Sequence, residues 1–162
     1  MKSTKKIRKV VELLIAIIIC NIAGVIGAIF TSPSVRTWYT TIQKPSFSPP
    51  NWIFGPVWTT LFILMGISLF LIWDKGLKNK NVKTALIFFI IQLVLNTLWS
   101  ILFFGLKNPL YAFIELIVLW VMILLTIITA YKVSKPAAYL LIPYILWVSF
   151  AGFLNLMIIL LN

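Results

Sequence analysis

The sequence contains no histidine, one cysteine (Cys20) and only three acidic residues, Glu12, Asp74 and Glu115. Without histidine there can be no histidine ligand for zinc or haem iron and no histidine relay for nucleophilic catalysis. A single cysteine excludes a disulfide within one chain. The acids lie far apart in the sequence, which argues against hydrolysis by a pair of carboxylates. The sequence therefore predicts no metal site and no hydrolytic chemistry.

Apolar residues, by contrast, are abundant. Of the 162 residues 62% are hydrophobic and 10% are charged, and the mean hydropathy is +1.07. Soluble domains carry about 25% charged residues, so this composition predicts an integral membrane protein. A helix that crosses the hydrocarbon core needs about 20 apolar residues. Five runs meet this length, which predicts an all-α bundle of five transmembrane helices in one domain, 1–162, with a lid loop over 31–53. The predicted helices are 10–30, 54–73, 84–104, 110–131 and 137–161.

The distribution of positive charge predicts the orientation of the bundle. Eleven of the 14 basic residues lie at the N-terminus and in the second and fourth gaps between apolar runs, on one side of a five-span chain. This pattern is typical of a membrane protein oriented by its cytoplasmic loops and argues against nucleic acid as a partner. It places the N-terminus in the cytoplasm and the first loop and C-terminus outside the cell membrane. The basic N-terminus also resembles a signal peptide, with a tolerable cleavage site at 25–27. However, its apolar run of about 21 residues favours an uncleaved first helix.

Small residues recur at every fourth position of the first predicted span, at Ala16, Cys20, Gly24 and Ala28. Small residues at this spacing let two helices approach closely in lipid. Two interpretations follow, of which packing inside the bundle is favoured over a homodimer contact.

Polar residues in the third and fourth spans require partners. Gln92, Asn96 and Ser100 share one helix face. An unpaired amide in hydrocarbon is costly, so this face must point inward. The residues themselves leave two interpretations open, namely hydrogen bonds between helices and a polar patch in a pocket. Glu115, one turn into the fourth span, is expected either to be hydrated near the interface or to have a partner.

The tryptophans divide into two groups. In the fifth span Trp147 lies one turn beyond Pro143, which should kink the helix and open space beside it. Trp58 lies just below the proline-rich first gap, and Trp99 follows the polar face of the third span. We predict that these three line a cavity. The remaining four are predicted to be interfacial anchors, namely Trp38, Trp52, Trp73 and Trp120.

The segment KPSFSPPNWIFGPVW, residues 44–58, holds four prolines and two tryptophans. Each proline fixes its own φ and restricts the preceding residue, so the segment loses little entropy when it becomes ordered. Pro56 is predicted in the first turn of the second helix, where its missing N–H costs nothing. The segment could form an aromatic lid over the bundle, or it could lie on the lipid headgroups.

Three stretches resemble the TspO/MBR family of tryptophan-rich sensory proteins: RTWYTTIQKPSFSPPNWIFGPVWTTLF, ALIFFIIQLVLNTLWSILFFG and LLIPYILWVSFAGFLN. The resemblance implies five helices, a first loop that closes over a pocket, and frequent homodimers. It implies binding of porphyrins and, in mitochondrial members, of cholesterol and benzodiazepine-type ligands. Some bacterial members are credited with light-dependent porphyrin breakdown.

The family's pocket residues match particular positions of this chain. The loop tyrosine matches Tyr39, and the asparagine of the third helix matches Asn96. Phe62 stands where the family often has tyrosine. The end of the fifth helix, FLNLMIILLN, lacks the tyrosine and basic residue of the family's sterol pattern, whereas Val35, Tyr39 and Lys44 satisfy the loose form of that pattern elsewhere, so the sequence leaves sterol binding open. The combined prediction for the ligand site is Tyr39, Trp58, Gln92, Asn96, Trp99, Trp147 and Ala151.

These observations predict a membrane protein that binds or senses a porphyrin, or a similar flat hydrophobic ligand, without a resident cofactor. A protoporphyrin or haem-type tetrapyrrole would be its ligand. One alternative is an enzyme that degrades photoexcited porphyrin, with Trp58 and Trp147 as catalytic residues. Another is a porphyrin transporter, which is less favoured because the sequence has no internal repeat and no acid at mid-depth. The partners expected are the ligand, the lipid bilayer and a second copy of the chain.

Overall fold

The protein is a bundle of five membrane-spanning helical segments. The computed structural model describes residues 2–162. Met1 and the side chains of Lys2 and Ser3, which belong to the predicted basic N-terminus, lie outside the described part. Five segments are long and apolar enough to cross a bilayer. The predicted all-α fold is therefore confirmed for a multi-pass membrane protein. The elements are α1 (Lys2–Arg36), α2 (Trp38–Thr41), α3 (Asn51–Trp73), α4 (Lys80–Ser100) with a π-helical turn (Ile101–Gly105), α5 (Pro109–Val133), α6 (Lys135–Leu140) and α7 (Ile142–Leu161).

Helix α1 is longer than the predicted 10–30 at both ends. At its start, the Arg8 guanidinium pairs with Glu12 one turn later, at 2.8 Å. At its end the helix continues through Pro33 to Arg36, and the Thr37 hydroxyl donates to the Pro33 carbonyl at 2.9 Å. Residues 31–36, predicted as loop, are therefore helical. The lid is the shorter segment 37–50, which includes α2.

Helix α3 begins earlier than predicted, and this changes the role of Pro56. The chain is extended at Pro50 (ψ 142°), and the helix begins at Asn51. Pro56 is therefore the sixth residue of α3, and the prediction that it lies in the first turn is wrong. Its ring nitrogen cannot bond to the carbonyl of Trp52. Membrane helices tolerate such a gap when neighbouring groups rearrange.

The fifth span is broken at Leu141, next to the predicted kink. The short helix α6 ends at Leu140, and Pro143 is the second residue of α7, where a missing N–H costs little. The predicted distortion at Pro143 is confirmed as a break between two helices. Helix α6 packs on α3, where the Ser68 hydroxyl donates to the Ala137 carbonyl at 2.8 Å. Helix α7 packs mainly on α5.

The spans form a ring in the order α3, α1, α4, α5 and α6–α7, and α6 closes the ring against α3. One end of the ring carries the lid and the end of α7, and we call it the lid end. The other carries most of the lysines, and we call it the basic end. There the Lys9 ammonium pairs with Asp74 at 2.8 Å, which joins the start of α1 to the residue after α3.

Helices α1 and α3 approach each other closely, backbone against backbone at Gly66 and backbone against a side chain at Gly24. A Cβ added to Gly66 would lie 2.5 Å from the Cα of Ile17, and a Cβ added to Gly24 would lie 2.5 Å from Cε2 of Phe62. Gly66 is therefore required by close approach to the α1 backbone, whereas a side chain at position 24 would displace the Phe62 ring. In lipid, such van der Waals packing is a main source of helix association.

The small-residue stripe on α1 follows the same contact. Ala16 and Cys20 have no exposed surface, and Gly24 lies against α3. The interpretation as packing inside the bundle is confirmed for these three residues. Ala28 differs because it is exposed at the lid end.

We predict that Gly66→Ala lowers the free energy of unfolding by about 1–3 kcal/mol, since the new methyl group must displace the α1 backbone. The measurement is reversible unfolding in mixed micelles, followed by circular dichroism. Gly55→Ala is the matched control in the same helix, because its added Cβ would meet no atom within 4 Å. Equal destabilisation by both substitutions would contradict the close contact.

Candidate ligand-binding site

A cavity of about 490 Å³ lies beneath the lid, between α1, α3, α4 and α7. This volume falls within the range of small-molecule pockets, about 300–1,000 Å³. Its walls combine small residues of α1 with aromatic residues of the other three helices. The aromatic rings that line it are Tyr39, Phe54, Trp58, Phe62, Trp99, Phe103, Phe104 and Trp147.

Trp58 and Trp147 enter the cavity from different helices. The Trp58 ring is stacked on Phe62, with ring centroids 5.7 Å apart and an interplanar angle of 30°. The Trp147 ring meets Phe54 edge to face at 5.9 Å. The Trp147 Nε1 is buried and has no hydrogen-bond partner within the described chain. The Trp147 indole thus borders the cavity with a buried N–H that the described residues leave unsatisfied.

Trp99 is held in place by Asn155, whose side chain makes two hydrogen bonds. Its Nε1 donates to Oδ1 of Asn155 at 3.3 Å, and Nδ2 of Asn155 donates to the Pro109 carbonyl at 2.8 Å. The Trp99 ring also stacks on Phe103, with centroids 5.0 Å apart and an interplanar angle of 20°. These contacts connect α4, α5 and α7 and fix the indole at the cavity wall.

A buried polar network lies at the base of the site. The Tyr144 hydroxyl donates to Oε1 of Gln92 at 2.9 Å and accepts from Nδ2 of Asn96 at 3.0 Å. Tyr144 and Gln92 are at most 1% exposed. Asn96 and Ser100 line the cavity, whereas Gln92 does not. The polar face of α4 thus serves both predicted purposes: hydrogen bonding between helices at Gln92 and a pocket wall nearer the lid.

The lid packs against the protein through Tyr39, which is 5% exposed and lines the cavity. The Lys44 ammonium lies 4.5 Å from the centre of the Tyr39 ring and donates to the Tyr39 carbonyl at 3.0 Å. Burial raises the pKa of Tyr39 above its ordinary value. The phenol is therefore neutral under physiological conditions.

The lid is also fastened to the end of α7. The backbone N–H of Gln43 donates to Oδ1 of Asn162 at 2.9 Å, and Nδ2 of Asn162 donates to the Gln43 carbonyl at 3.0 Å. Phe47 stacks on Phe153, with centroids 5.3 Å apart. The proline-rich segment therefore folds onto the bundle, as the lid interpretation predicts.

Most of the predicted ligand residues meet in this one cavity. Gln92 is the exception, because its carbonyl oxygen is occupied by Tyr144 below the cavity. The residues brought together are Tyr39, Trp58, Asn96, Trp99, Trp147 and Ala151. Sequence reasoning missed Tyr144 as the centre of the polar network. Its spacing from Trp147 and Ala151, three and seven residues, places it on the same face of α7 and could have indicated it.

Glu115 lies on the buried face of α5 and is 8% exposed. Neither carboxylate oxygen has a hydrogen-bond partner within the described residues, and Glu115 does not line the cavity. The structure therefore matches neither the hydrated nor the paired arrangement expected from the sequence.

Five spans around an aromatic cavity with a fastened lid define a polytopic membrane protein whose cavity has the size of a small-molecule pocket. The sequence model of the TspO/MBR family matches residues 16–161, and the chain belongs to that family. It is 43% identical over 155 residues to the tryptophan-rich protein TspO of Chlorobaculum tepidum, covering 96% of this chain and 98% of that protein. The TspO of Archaeoglobus fulgidus is 46% identical over 153 residues, covering 94% and 98%. The translocator protein of Bos taurus is 38% identical over 136 residues, covering 83% and 80%.

We predict that Tyr144→Phe destabilises the fold by about 1–3 kcal/mol, because it leaves the Gln92 and Asn96 amides buried without their shared partner. Unfolding in mixed micelles measures the change. Tyr111→Phe, at a tyrosine that is 57% exposed, is the control and should have almost no effect. A Tyr144→Phe protein as stable as the parent would show that the network contributes nothing.

Proposed function

We propose that this protein binds a flat, aromatic and mostly apolar ligand of the porphyrin class in the cavity under the lid. The observation that carries the proposal is the convergence of three indoles, Trp58, Trp99 and Trp147, from three different helices on one cavity. Aromatic walls of this kind favour ligands that present a large π-face. Membership of the TspO/MBR family supports a binding or sensory role in a membrane.

The polar groups in the cavity suit a ligand with few polar atoms. Asn96 lies in the cavity wall, and Trp147 borders the cavity with a buried N–H that has no partner among the described residues. Because the chain has no histidine, a bound porphyrin would be held through its faces and edges, with no imidazole on its central metal.

We predict that the double variant Trp58→Ala/Trp147→Ala binds protoporphyrin about 30-fold more weakly than the parent. Each lost aromatic contact is worth about 0.5–1.5 kcal/mol beyond its buried area, and about 1.4 kcal/mol corresponds to tenfold in affinity. The measurement is a titration in nanodiscs, followed by the Soret absorbance of the porphyrin.

Trp73→Ala is the control for this titration, since Trp73 is the last residue of α3 at the basic end and does not line the cavity. It should retain the parent affinity. The single change Trp147→Phe keeps an aromatic face but removes the N–H, so it separates stacking from hydrogen bonding. Parent-like affinity in the double variant would refute this site.

We infer that the basic end of the bundle faces the cytoplasm and the lid faces the outside of the cell membrane. The exposed lysines of the α3–α4 turn and of the α5–α6 junction lie at the basic end, as the positive-inside rule requires of cytoplasmic segments. They include Lys78 and Lys135.

This orientation predicts which engineered cysteines a membrane-impermeant maleimide reaches in intact cells. Ser46→Cys in the lid should react without lysis, and Lys78→Cys should react only after lysis. Both positions are exposed, and the native Cys20 is fully buried and provides a low background. The opposite pattern of labelling would reverse the orientation.

A homodimer also remains a proposal. Ala16, Cys20 and Gly24 are packed inside the bundle, so a second copy would have to contact another face of α1. Ile18, Ile22 and Ile29 are each more than half exposed, and only 17% of the apolar window of α1 is buried. Cross-linking in native membranes would test this face.

A further inference from the structure

The cavity is not sealed on all sides, although its lid is fastened. Several residues that line it are also exposed at the surface of the bundle. On α1 these include Val25, Ala28 and Ser32, and on the facing side of α3 they include Gly55 and Thr59. The cavity therefore continues to the surface between α1 and α3. We call this opening the slot.

The slot lies on the lid side of the close contact between α1 and α3, where a Cβ added to Gly55 would meet no atom within 4 Å. Towards the basic end the helices are pinned where Gly66 meets Ile17, and Phe62 packs against Gly24. Phe62 is the deepest α3 residue of the cavity wall. Beyond it, towards the lid, α3 presents Thr59 and Gly55 in place of a large side chain, and the two helices no longer close the gap.

The depth of the slot places it in the acyl-chain layer. Along α1 it runs from Val25 to Ser32, about 10 Å at 1.5 Å per residue. Most of this length lies within the apolar run of the first span, which extends to Phe30. Arg36 and Asn51 lie above it, and both line the cavity and are exposed. The slot thus faces lipid tails along its length and polar headgroups at its upper end.

The chemistry of the rim suits the passage of an apolar body. Ala28 and Gly55 are small, and the Thr59 hydroxyl already donates to the Gly55 carbonyl at 2.9 Å. A ligand that slides past the Thr59 hydroxyl therefore leaves its hydrogen bond intact. By contrast, entry through the lid would have to break the paired hydrogen bonds of Gln43 with Asn162 and the stack of Phe47 on Phe153.

We propose that the ligand enters the cavity sideways from the lipid, through the slot between α1 and α3, in the leaflet on the lid side. This inference rests on the proposed binding function and adds the route and the source of the ligand. The ligand class it selects is an amphiphile that partitions into the bilayer, with a planar apolar body at the level of the slot. Its polar edge would lie at the level of Arg36.

The test compares binding kinetics of protoporphyrin in nanodiscs by stopped-flow quenching of tryptophan fluorescence. Val25→Phe places a ring at the mouth of the slot without adding an indole. It should slow association and dissociation together by about tenfold, as a higher barrier on one shared route requires. Val94→Phe is the matched control, because Val94 and Val25 are both 62% exposed and Val94 does not line the cavity.

A second variant examines the lid route. Asn162→Ala removes both hydrogen bonds to Gln43 and should leave the association rate unchanged. Faster association in this variant would overturn the inference in favour of entry through the lid. Parent-like association in Val25→Phe would overturn it as well, and so would a loss of affinity without slower dissociation.

A measurement on the parent protein keeps the inference testable if Val25→Phe fails to fold. The lipid content of the sample is varied at a constant total porphyrin concentration. Entry from the bilayer requires the association rate to follow the porphyrin concentration in the lipid, and a rate that follows the aqueous concentration would overturn the slot. Absence of porphyrin binding in the parent is a different result, which refutes the proposed function and removes the basis of this inference.

Discussion

The architecture depends on one contact, the approach of Ile17 to Gly66. There α1 and α3 meet so closely that a single methyl group on Gly66 would overlap the α1 backbone. Phe62 packs against Gly24 one turn nearer the lid, and beyond it a Cβ added to Gly55 would meet no atom within 4 Å. Tight packing in the lower part of α1 and α3 thus gives way to open space under the lid.

The other walls are positioned by side-chain hydrogen bonds between helices. Tyr144 connects α7 to α4, and Asn155 connects Trp99 to the start of α5. In a lipid environment a polar side chain without a partner is expensive, so these pairs restrict how the helices can rotate about their axes. The same pairs therefore determine which aromatic rings face inward.

Much of this arrangement could be predicted from the sequence, because composition and periodicity are strong in membrane helices. The five spans, the break near Pro143 and the inward position of Trp58 and Trp147 follow from apolar runs, proline chemistry and helical spacing. The exact ends of the helices could not be predicted from the same features. Residues 31–36 are polar and contain Pro33, which favours a loop, yet the helix continues there.

The sequence also could not predict that Asn96 lines the cavity and Gln92 does not. Both amides lie on one face of α4, one turn apart, and either could have pointed into a pocket. The choice was made by Tyr144, a residue 52 positions further along the chain, whose hydroxyl occupies the Gln92 oxygen. Likewise, only tertiary structure shows that Ala28 departs from the stripe it shares with Ala16, because Ala28 lines the cavity and is exposed.

The π-helical turn at 101–105 has a consequence for how related sequences can vary. In this turn the Leu106 N–H bonds to the carbonyl of Ile101, five residues back instead of four. The turn ends α4 next to α1, and there the Phe104 carbonyl accepts a hydrogen bond from the Ser34 hydroxyl at 2.6 Å. An irregularity in one helix is thus matched by a hydroxyl in another. In a homologue that lacks one residue of this turn, a serine at position 34 would lose its partner. We therefore expect the π-helical turn and this serine to be conserved together or lost together.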